Sequence, residues 1–357
     1  MRRAERAELG WNEVDLGRTY DANYLQRLGA IAGGVRRTLR AREKLAQADI
    51  VYARNLDTAL CALAAMKMTG LSRPMIYECL DIHRLMHRKD IVGFLMRRLE
   101  RLVLAHSNLL VVSSPAFLRD YFDIRHAKRF TARLIENRIL DHPALGHRPV
   151  GPARAASPLR IGWFGVLRCE RSLRLLESIA ALFKGDVEIV MAGYPDLNLR
   201  SFHERIRKHF NMKYLGRYKS PEDLAAIYKA VDVVWAGDFH DAGYNSRWLL
   251  PNRIYEGGYF ATPAIAPQET ETARWIEDRN GGFVVPDPLE QTLPELLHLL
   301  LLAPDSIGNA REALLAAPRS AFVQPPSEMQ DIIRAAMTGQ DNPSRADRPA
   351  LVAQTGS

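Results

Sequence analysis

The sequence contains little cysteine and no long apolar run. Its three cysteines, Cys61, Cys79 and Cys169, are far apart and form no CxxC pair, so we expect reduced thiols in a cytoplasmic protein. No apolar stretch approaches the roughly 20 residues that a membrane-spanning helix requires. Residues 1–6 are charged and precede no apolar segment, so we expect no signal peptide.

Metal-binding and phosphate-loop motifs are also missing. The histidines form no HExxH motif and no Cys/His set, and we therefore expect no metal site. Residues 29–34 are glycine-rich, but they follow no predicted strand and lack the Gly-Lys-Ser/Thr ending of a phosphate-binding loop. Nucleic acid is not an expected partner, because basic and aromatic residues do not interleave and no reader module is present.

Acidic residues are scarce in the first part of the chain. Residues 1–150 contain 26 Lys and Arg against 16 Asp and Glu, a net charge of +10, whereas the remainder has 23 against 25 and carries −2. Such a field favours an anionic partner, for example lipid headgroups or a phosphate-linked carrier, and a merely solvated basic surface is the alternative. The length of 357 residues and the ordinary composition allow about two domains.

Strand-like and helix-like segments alternate along the chain. In the first half we predict strands at 49–53, 74–78, 108–113 and 133–136, and helices at 24–45, 56–69, 91–105 and after Ser114-Pro115. In the second half we predict strands at 159–165, 187–192, 213–215, 231–236 and 282–285, and helices at 172–183 and 221–230. This alternation predicts parallel sheets covered on both faces.

Closely spaced proline and glycine residues indicate the domain boundaries. Residues 143–158 form the predicted linker, between an N-terminal domain over 1–142 and a C-terminal domain over 159–338. The polar tail 339–357 is expected to be disordered. Residues 1–23 contain no apolar strand with a glycine-rich turn, so the first domain lacks the first βα unit of a doubly wound fold. We favour a chain shortened at its N-terminus, and an atypical domain is the alternative.

The segment 250–267 is the most informative part of the sequence. It reads as a loop, a short helix that carries Glu256, a Thr-Pro pair and an apolar strand, and it follows the buried-strand run 231–236. One ionised carboxylate supplies the two acceptors that a ribose diol needs. We therefore predict that Glu256 binds the ribose of a nucleotide sugar, and an exposed helix glutamate is the alternative.

Taken in order, these features resemble the GT-B glycosyltransferases, and most closely retaining family 4, the glycosyltransferase group 1-like enzymes. The resemblance covers roughly residues 45–300 and includes the glycine-ended strand at Gly165 and the spacing of Glu256 seven residues before Pro263. It implies an α/β fold class, with two Rossmann-like doubly wound domains facing a cleft. It also implies transfer of a hexose from a nucleoside-diphosphate sugar to a hydroxyl acceptor, with retention, in bacterial surface polysaccharide or glycolipid assembly. No cofactor is implied besides this donor substrate, and no metal.

The resemblance also implies a donor site in the second domain. The family's diphosphate-binding lysine position falls on Arg171, and its arginine position falls on Val166, with Arg168 nearby. Cationic groups are needed there because charge builds on the leaving diphosphate, so Arg168 and Arg171 are catalytic as well as donor-binding candidates. The remaining donor-binding candidates are Gly165, Asn252, Arg253 and Glu256.

Two departures from the family pattern concern the donor sugar and the helix end. Trp248 stands where the family often has a second glutamate, and Ala261 replaces a glycine. If the backbone of Ala261 has positive φ, alanine costs about 1 kcal/mol there. The loop 237–247 is expected to hold the transferred sugar, and its polar candidates are Asp238, His240, Asp241 and Asn245.

The first domain supplies the acceptor-side candidates. Asp81 and His83 follow its second strand, and the resemblance implies that they are catalytic or sugar-contacting groups; a locally hydrogen-bonded pair is the alternative. Helix 91–105 sets apolar residues against arginines, a pattern that suits an anionic membrane surface or a core helix with a solvated face. We thus expect a cytoplasmic enzyme, considered also as peripheral to the inner face of the plasma membrane, with a glycan or lipid-linked acceptor.

Two other functions compete with this prediction. Trp248 and the missing first strand favour a non-catalytic nucleotide-sugar or glycan-binding module, a degenerate GT-B protein. A sugar-nucleotide epimerase with the GT-B fold is the second rival, and it would need more acid and base groups than the sequence shows.

Overall fold

A computed structural model describes residues 14–17, 24–127, 130–151, 157–196 and 201–338 of the chain. The chain divides into two compact units. Unit 1 comprises Met1–Val112, Tyr121–Leu134 and Met329–Ser357, and unit 2 comprises Ser113–Asp120 and Ile135–Glu328. The segment 143–158, predicted as a linker, thus belongs to unit 2. The predicted disordered tail 339–357 lies outside the described residues, as does most of 1–23.

Unit 1 is built on a parallel sheet with the strand order β1-β2-β3-β4. Val51 of β1 pairs with Met75 of β2, and Ile76 of β2 pairs with Leu109 of β3. Strand β3 is buried along its whole length. A six-residue π-helix, Phe117–Phe122, follows Ser114-Pro115 where an α-helix is predicted, and its first four residues are grouped with unit 2. The elements are α1 (Tyr24–Arg40), α2 (Arg42–Gln47), β1 (Val51–Arg54), α3 (Asn55–Thr69), β2 (Met75–Cys79), α4 (Ile91–His106), β3 (Leu109–Val112), α5 (Asp123–His126) and β4 (Ala132–Leu134).

Unit 2 is built on a six-stranded parallel sheet. After β5 (Ile139–Leu140), its elements are β6 (Leu159–Leu167), α6 (Glu170–Phe183), β7 (Val187–Pro195), α7 (Phe202–Arg207), β8 (Met212–Tyr214), α8 (Leu224–Lys229), β9 (Val233–Trp235), α9 (Asn252–Tyr259), β10 (Ala264–Pro267), α10 (Glu271–Arg279) and β11 (Gly282–Val285). The last elements of the described chain are α11 (Leu289–Leu302), α12 (Asp305–Ala316), β12 (Val323–Gln324) and α13 (Pro326–Thr338). Strands β5 and β12 pair with each other in a separate two-stranded sheet.

Both faces of the six-stranded sheet are buried. Along β6, Ile161 and Trp163 pack into one apolar core with α6 and α11, whereas Phe164 packs into the other core with α8 and α9. Successive strand side chains point to opposite faces, so a strand covered on both sides must be apolar at nearly every position. This explains why the predicted strands read as continuous apolar runs, and the predicted parallel α/β fold is confirmed.

The strand order of unit 2 indicates where a ligand is expected to bind. The order is β11-β10-β9-β6-β7-β8, so the direction of winding reverses between β6 and β9. All pairs in this sheet are parallel, and their carboxyl ends lie at one edge. In open α/β sheets, ligands bind outside the carboxyl ends of the strands at such a reversal. The residues after Leu167 and Trp235 are therefore the first place to look for a site.

Candidate functional site

An ion pair joins the two loops at the winding reversal. Arg168, directly after β6, donates from Nη2 to Oδ2 of Asp238, three residues after β9, at 3.2 Å. Cys169 Sγ also accepts from the backbone N–H of Phe239 at 3.2 Å. We predicted separate roles for Arg168 and Asp238, whereas the structure makes them direct partners.

Two glycines let the backbones of β6 and β7 approach closely beside Arg168. Gly165 and Gly193 are register partners with φ of +105° and +130°. A Cβ on Gly193 would lie 1.9 Å from the carbonyl oxygen of Gly165, so no other residue fits there. A Cβ on Gly165 would meet nothing within 4 Å, so only its φ demands glycine. The strand edge at Gly165 is therefore unobstructed.

Arg171 lies in the first turn of α6 and faces the ends of β9 and β11. Its Nη2 is 3.0 Å from Oδ1 of Asp287, its Nε is 3.5 Å from Oε1 of Glu290, and its guanidinium lies 4.5 Å above the ring centre of Phe239. These acids are well exposed, so their attraction is weak and a bound anion can displace them. The positive end of the α6 dipole favours an anion at the same place, although the Ser172 N–H already donates to Cys169 Sγ.

Glu256 is a buried carboxylate on α9, with only 7% of its surface exposed. Its Oε2 accepts a hydrogen bond from the hydroxyl of Tyr228 at 2.7 Å. Burial raises the pKa of Glu256, although the Tyr228 hydroxyl and the charge of Arg253 offset part of that rise. An exposed helix glutamate, the alternative weighed from the sequence, is therefore wrong. One hydrogen bond leaves the carboxylate further acceptor capacity for a ligand hydroxyl.

Arg253 links the buried carboxylate to the ion pair at the winding reversal. It is itself buried and donates from Nη1 to the carbonyl oxygen of Trp235, the last residue of β9, at 3.1 Å. Burial acts to raise the pKa of Asp238, but Arg168, the His240 N–H and Arg253 together hold that pKa below its ordinary value. Arg168, Asp238, Arg253 and Glu256 therefore form one electrostatically coupled group, which we name the switch-point cluster. Asn252 is exposed at the start of α9.

The other sugar-loop candidates have different environments. Asp238 Oδ1 accepts from the His240 N–H at 2.8 Å, and the Asp241 N–H donates to Oγ of Ser246 at 2.9 Å. Asn245 is buried, whereas His240 is exposed. These bonds shape the loop, and they do not bring the four polar candidates to one point.

Trp248, the departure at the family's second glutamate, packs against Phe117. The two rings meet edge to face, with their centres 6.4 Å apart and their planes at 88°. The indole thus has a packing partner within unit 2, and this contact gives a physical reason for an aromatic residue at the position.

The end of α9 answers one expectation from the sequence. Ala261 has φ of +55°, so the condition for its backbone cost is met. Gly257 and Gly258 lie where other parts of the protein pack closely against the helix. A Cβ on Gly257 would lie 3.0 Å from the carbonyl oxygen of Thr262, and one on Gly258 would lie 2.3 Å from the ring of Phe322. These glycines admit neighbouring protein groups.

Asp81 and His83 lie in unit 1, after β2. His83 Nδ1 accepts from the N–H of Leu85 at 3.2 Å and caps the 3-10 helix Arg84–His87. The Asp81 carbonyl accepts from the Cys79 thiol at 3.5 Å. These bonds are local, and the acceptor-side role of both residues stays a prediction.

Sequence reasoning missed Tyr228 and Asp287. Asp287 follows β11 at the carboxyl edge of the sheet, so the rule that site residues follow strand ends was the available signal. The bond from Tyr228 to Glu256 depends on the packing of α8 against α9, for which the sequence carries no local signal.

Two searches were negative within the described ranges. No group of three or more His, Cys, Asp and Glu side chains that could hold a metal ion occurs in the part of the chain that the structure describes. Among the same residues, no helix combines the length and the apolar character that crossing a bilayer requires.

Solved structures share this architecture. Sucrose-phosphate synthase from Thermosynechococcus elongatus aligns with a TM-score of 0.65 and 15% identity over 88% of this chain and 80% of its own. HepE from Anabaena in complex with UDP-glucose aligns with a TM-score of 0.62 and 15% identity over 86% and 84%. No protein-family model matches the chain. These neighbours are GT-B glycosyltransferases, and the chain shares the GT-B fold.

A curated relative narrows this class. The succinoglycan biosynthesis protein ExoL of Rhizobium meliloti is 37% identical over 330 residues, which cover 91% of this chain and 81% of ExoL. The chain belongs to the family that contains ExoL.

Proposed function

We propose that the chain transfers a hexose from a nucleoside-diphosphate sugar to a hydroxyl acceptor during assembly of a surface polysaccharide, with retention of the anomeric configuration. The switch-point cluster carries the proposal, because it sets a buried carboxylate and two guanidinium groups at the ligand-binding edge of a doubly wound sheet. The name of ExoL and the UDP-glucose bound to HepE support the same conclusion.

In this proposal the donor binds to unit 2. Glu256 accepts from the ribose hydroxyls, and Arg168, Arg171 and Arg253 contact the diphosphate beside the open backbone at Gly165. Asn252, exposed at the start of α9, contributes a polar contact. The ion pairs of Arg168 with Asp238 and of Arg171 with Asp287 hold the guanidinium groups near the site before the donor arrives.

The chemistry assigned to these residues is charge stabilisation. As the glycosidic bond breaks, negative charge grows on the diphosphate, and guanidinium groups fixed beforehand stabilise it without reorganising. Arginine keeps its charge in any site and can donate two hydrogen bonds to a phosphate group at once. The donor's diphosphate accepts the proton from the acceptor hydroxyl. The proposal includes no cofactor besides the nucleotide sugar, which is the donor substrate. Asp81 and His83 are proposed to contact the acceptor or the transferred sugar.

Nucleotide binding is the first test. We expect UDP, GDP or ADP to raise the melting temperature in proportion to the logarithm of ligand concentration over its dissociation constant. Glu256→Ala should weaken this shift without unfolding the protein, whereas Glu277→Ala, an exposed glutamate on α10, should leave it unchanged. An unchanged nucleotide affinity in Glu256→Ala would remove Glu256 from the site.

Turnover separates a transferase from a binding module. We expect slow hydrolysis of the nucleotide sugar in the absence of acceptor, and Arg171→Ala should lower its rate about 10²-fold or more, since it removes a group that stabilises the leaving charge. Arg174→Ala is the matched control, because Arg174 lies on the same helix and pairs with Glu170 at the surface. Binding without turnover would support the module instead.

A further inference from the structure

Strand β8 forms one edge of the six-stranded sheet in unit 2. It is the last strand in the order, so among the described strands only β7 pairs with it. Lys213 and Leu215 are exposed, and Phe210, just before the strand, is 77% exposed. The opposite edge strand, β11, has no exposed residue. An uncovered sheet edge is a template on which a further strand can pair.

The hydrogen bonds between β7 and β8 show which backbone groups point outward. The N–H of Ile189 donates to the carbonyl oxygen of Asn211, and the N–H of Leu215 donates to the carbonyl oxygen of Met191, both at 2.8 Å. Because the backbone groups of a strand alternate in direction, the odd-numbered residues of this segment pair with β7. The N–H and C=O of Tyr214 therefore point away from β7, in the orientation that a seventh strand requires.

A groove of about 480 Å³ lies between β8 and α7. Its volume falls in the range of ligand-binding clefts, about 300–1,000 Å³. Ile206, Met212 and Leu215 supply apolar parts of its lining, and Arg207 and Lys213 supply cationic parts. The groove thus combines an open strand edge, apolar contacts and positive charge.

The segment that forms this groove is basic in an otherwise acidic part of the chain. Residues 203–219 contain six Lys and Arg and one acid, Glu204. The rest of the chain after residue 150 contains 17 Lys and Arg against 24 Asp and Glu. Arg207, Lys208 and Lys219 are exposed. The local field therefore favours an anionic partner.

Two of the cations already have acidic partners. Arg205 Nε donates to Oε1 of Glu177, on α6, at 2.7 Å, and this pair fastens α7 to its neighbour. Lys213 Nζ lies 2.7 Å from Oε2 of Glu188, on β7. The Lys213 side chain is 56% exposed, so its ion pair is weak and an incoming carboxylate can share the ammonium group.

We propose that the groove along β8 binds an acidic, extended segment of a partner protein, which adds a seventh strand to the sheet. Main-chain hydrogen bonds to Tyr214 hold the segment, and its carboxylates face Arg207 and Lys213. A second copy of the chain is the weaker occupant, because pairing of β8 with itself about a twofold axis would bring the same cations together. An acidic oligosaccharide matches the charge but has no strand backbone to pair. The proposal does not rest on the donor site, so its test contains no nucleotide.

The probe is a short, end-blocked and dye-labelled peptide of alternating Glu and Val, and its binding to the full chain is followed by fluorescence anisotropy. We expect saturable binding that weakens as salt is added. Two further probes carry N-methyl groups on one or the other alternate set of backbone nitrogens. Only one edge of an added strand faces β8, so one methylated probe should bind about tenfold more weakly and the other should bind like the parent peptide.

Paired variants test the charges. Arg207→Gln with Lys213→Gln should weaken peptide binding about fivefold, whereas Lys229→Gln with Arg334→Gln, which removes two exposed cations elsewhere, should not change it. The bound peptide should slow amide hydrogen exchange at residues 212–216 and leave the exchange of β11 unchanged.

Several results would overturn the proposal. They are the absence of peptide binding, equal binding of the two methylated probes, and an equal loss in both double variants. Tighter binding of an oligogalacturonate than of the peptide would indicate a glycan site instead. Self-association in sedimentation that protects the same β8 residues without peptide would indicate a second copy of the chain.

Discussion

At the scale of single residues, burial decides how Glu256 behaves. A carboxylate moved out of water loses hydration, and one tyrosine hydroxyl and one nearby guanidinium replace only part of it. The protein keeps this unfavourable group on α9, beside Arg253. A group retained at such a cost near the winding reversal of the sheet is a candidate for function rather than for stability.

Replacement of Glu256 by glutamine should therefore stabilise the protein at neutral pH. Burial raises the pKa of Glu256 in the folded state above its value in the unfolded chain. The neutral side chain therefore contributes its full stabilisation of the folded state below the unfolded pKa. This stabilisation is lost as pH rises through the folded pKa. Glutamine does not titrate. Urea denaturation should show Glu256→Gln more stable than the parent at pH 7.5, with a smaller difference at pH 4.5, and with weaker nucleotide binding.

Glu277→Gln is the control for this pair of measurements, and it should change neither stability nor binding because Glu277 is exposed. If Glu256→Gln were less stable than the parent at pH 7.5, the carboxylate would contribute more through Tyr228 and Arg253 than it loses through burial.

Gly258 is a packing position and should not accept alanine. A Cβ there would lie 2.3 Å from the ring of Phe322, which is fully buried and cannot move aside cheaply. We expect Gly258→Ala to lower the free energy of unfolding by about 1–3 kcal/mol. Gly308→Ala, within α12 where a Cβ meets nothing within 4 Å, should instead gain about 0.5–1 kcal/mol from helix propensity. Denaturant titration distinguishes the two, and equal effects would contradict the packing argument.

At the scale of elements, a buried ion pair joins the start of β9 to α12. Asp232 Oδ1 accepts from Arg311 Nη2 at 3.1 Å, and its Oδ2 accepts from the backbone N–H of Arg160, on β6, at 2.9 Å. The pair thereby anchors the two strands whose carboxyl ends carry Arg168 and Asp238. Both side chains are buried, so each charge depends on the other.

Removal of one side chain of the Asp232–Arg311 ion pair should lower the free energy of unfolding. Asp232→Ala leaves Arg311 buried without its counter-ion, and we expect a loss of about 3–5 kcal/mol of unfolding free energy. Glu188→Ala is the matched control, because it breaks the exposed pair with Lys213, which is worth about 0–1 kcal/mol. The double variant Asp232→Leu with Arg311→Leu should lose less than Asp232→Ala. If the double variant were less stable than Asp232→Ala, the attraction between Asp232 and Arg311 would outweigh the cost of burying both charges.

The local sequence pattern predicts some strands and helices of the fold and misses others. The strands at 159–167 and 187–195 are predictable because both sheet faces are covered and nearly every position is apolar, with Arg160 and Glu188 as the exceptions. Strands β5 and β12 are two residues long and pair across nearly the whole of unit 2, so no local period marks them. Helices α11 to α13 follow the last predicted strand and were not predicted. The segment 250–267 identifies Glu256 and the glycine-ended strand identifies Arg168, whereas the contact with Tyr228 requires the packed fold.

At the scale of the whole molecule, the chain crosses between the units several times: unit 1 comprises three segments of the chain and unit 2 comprises two. Ser113–Asp120 is grouped with unit 2 although β3 before it and α5 after it belong to unit 1, and the chain from Met329 is grouped with unit 1. Sequence punctuation marks one linker at 143–158 and gives no sign of these exchanges, because they depend on tertiary contacts rather than on composition. The charge asymmetry, by contrast, is legible from the sequence alone.

Nucleotide binding should stabilise the two units unequally. A ligand slows amide hydrogen exchange wherever local opening releases it, by about 2.7 kcal/mol at 100 times the dissociation constant. We expect a saturating nucleotide to protect residues 165–172, 235–241 and 252–258, which contain the switch-point cluster and Arg171. Strands β1, β2 and β3 should keep their exchange rates, and Glu256→Ala at the same nucleotide concentration should lose the protection. Equal protection of β1–β3 would mean that the nucleotide contacts or orders unit 1 as well, and the donor site assigned to unit 2 alone would then be incomplete.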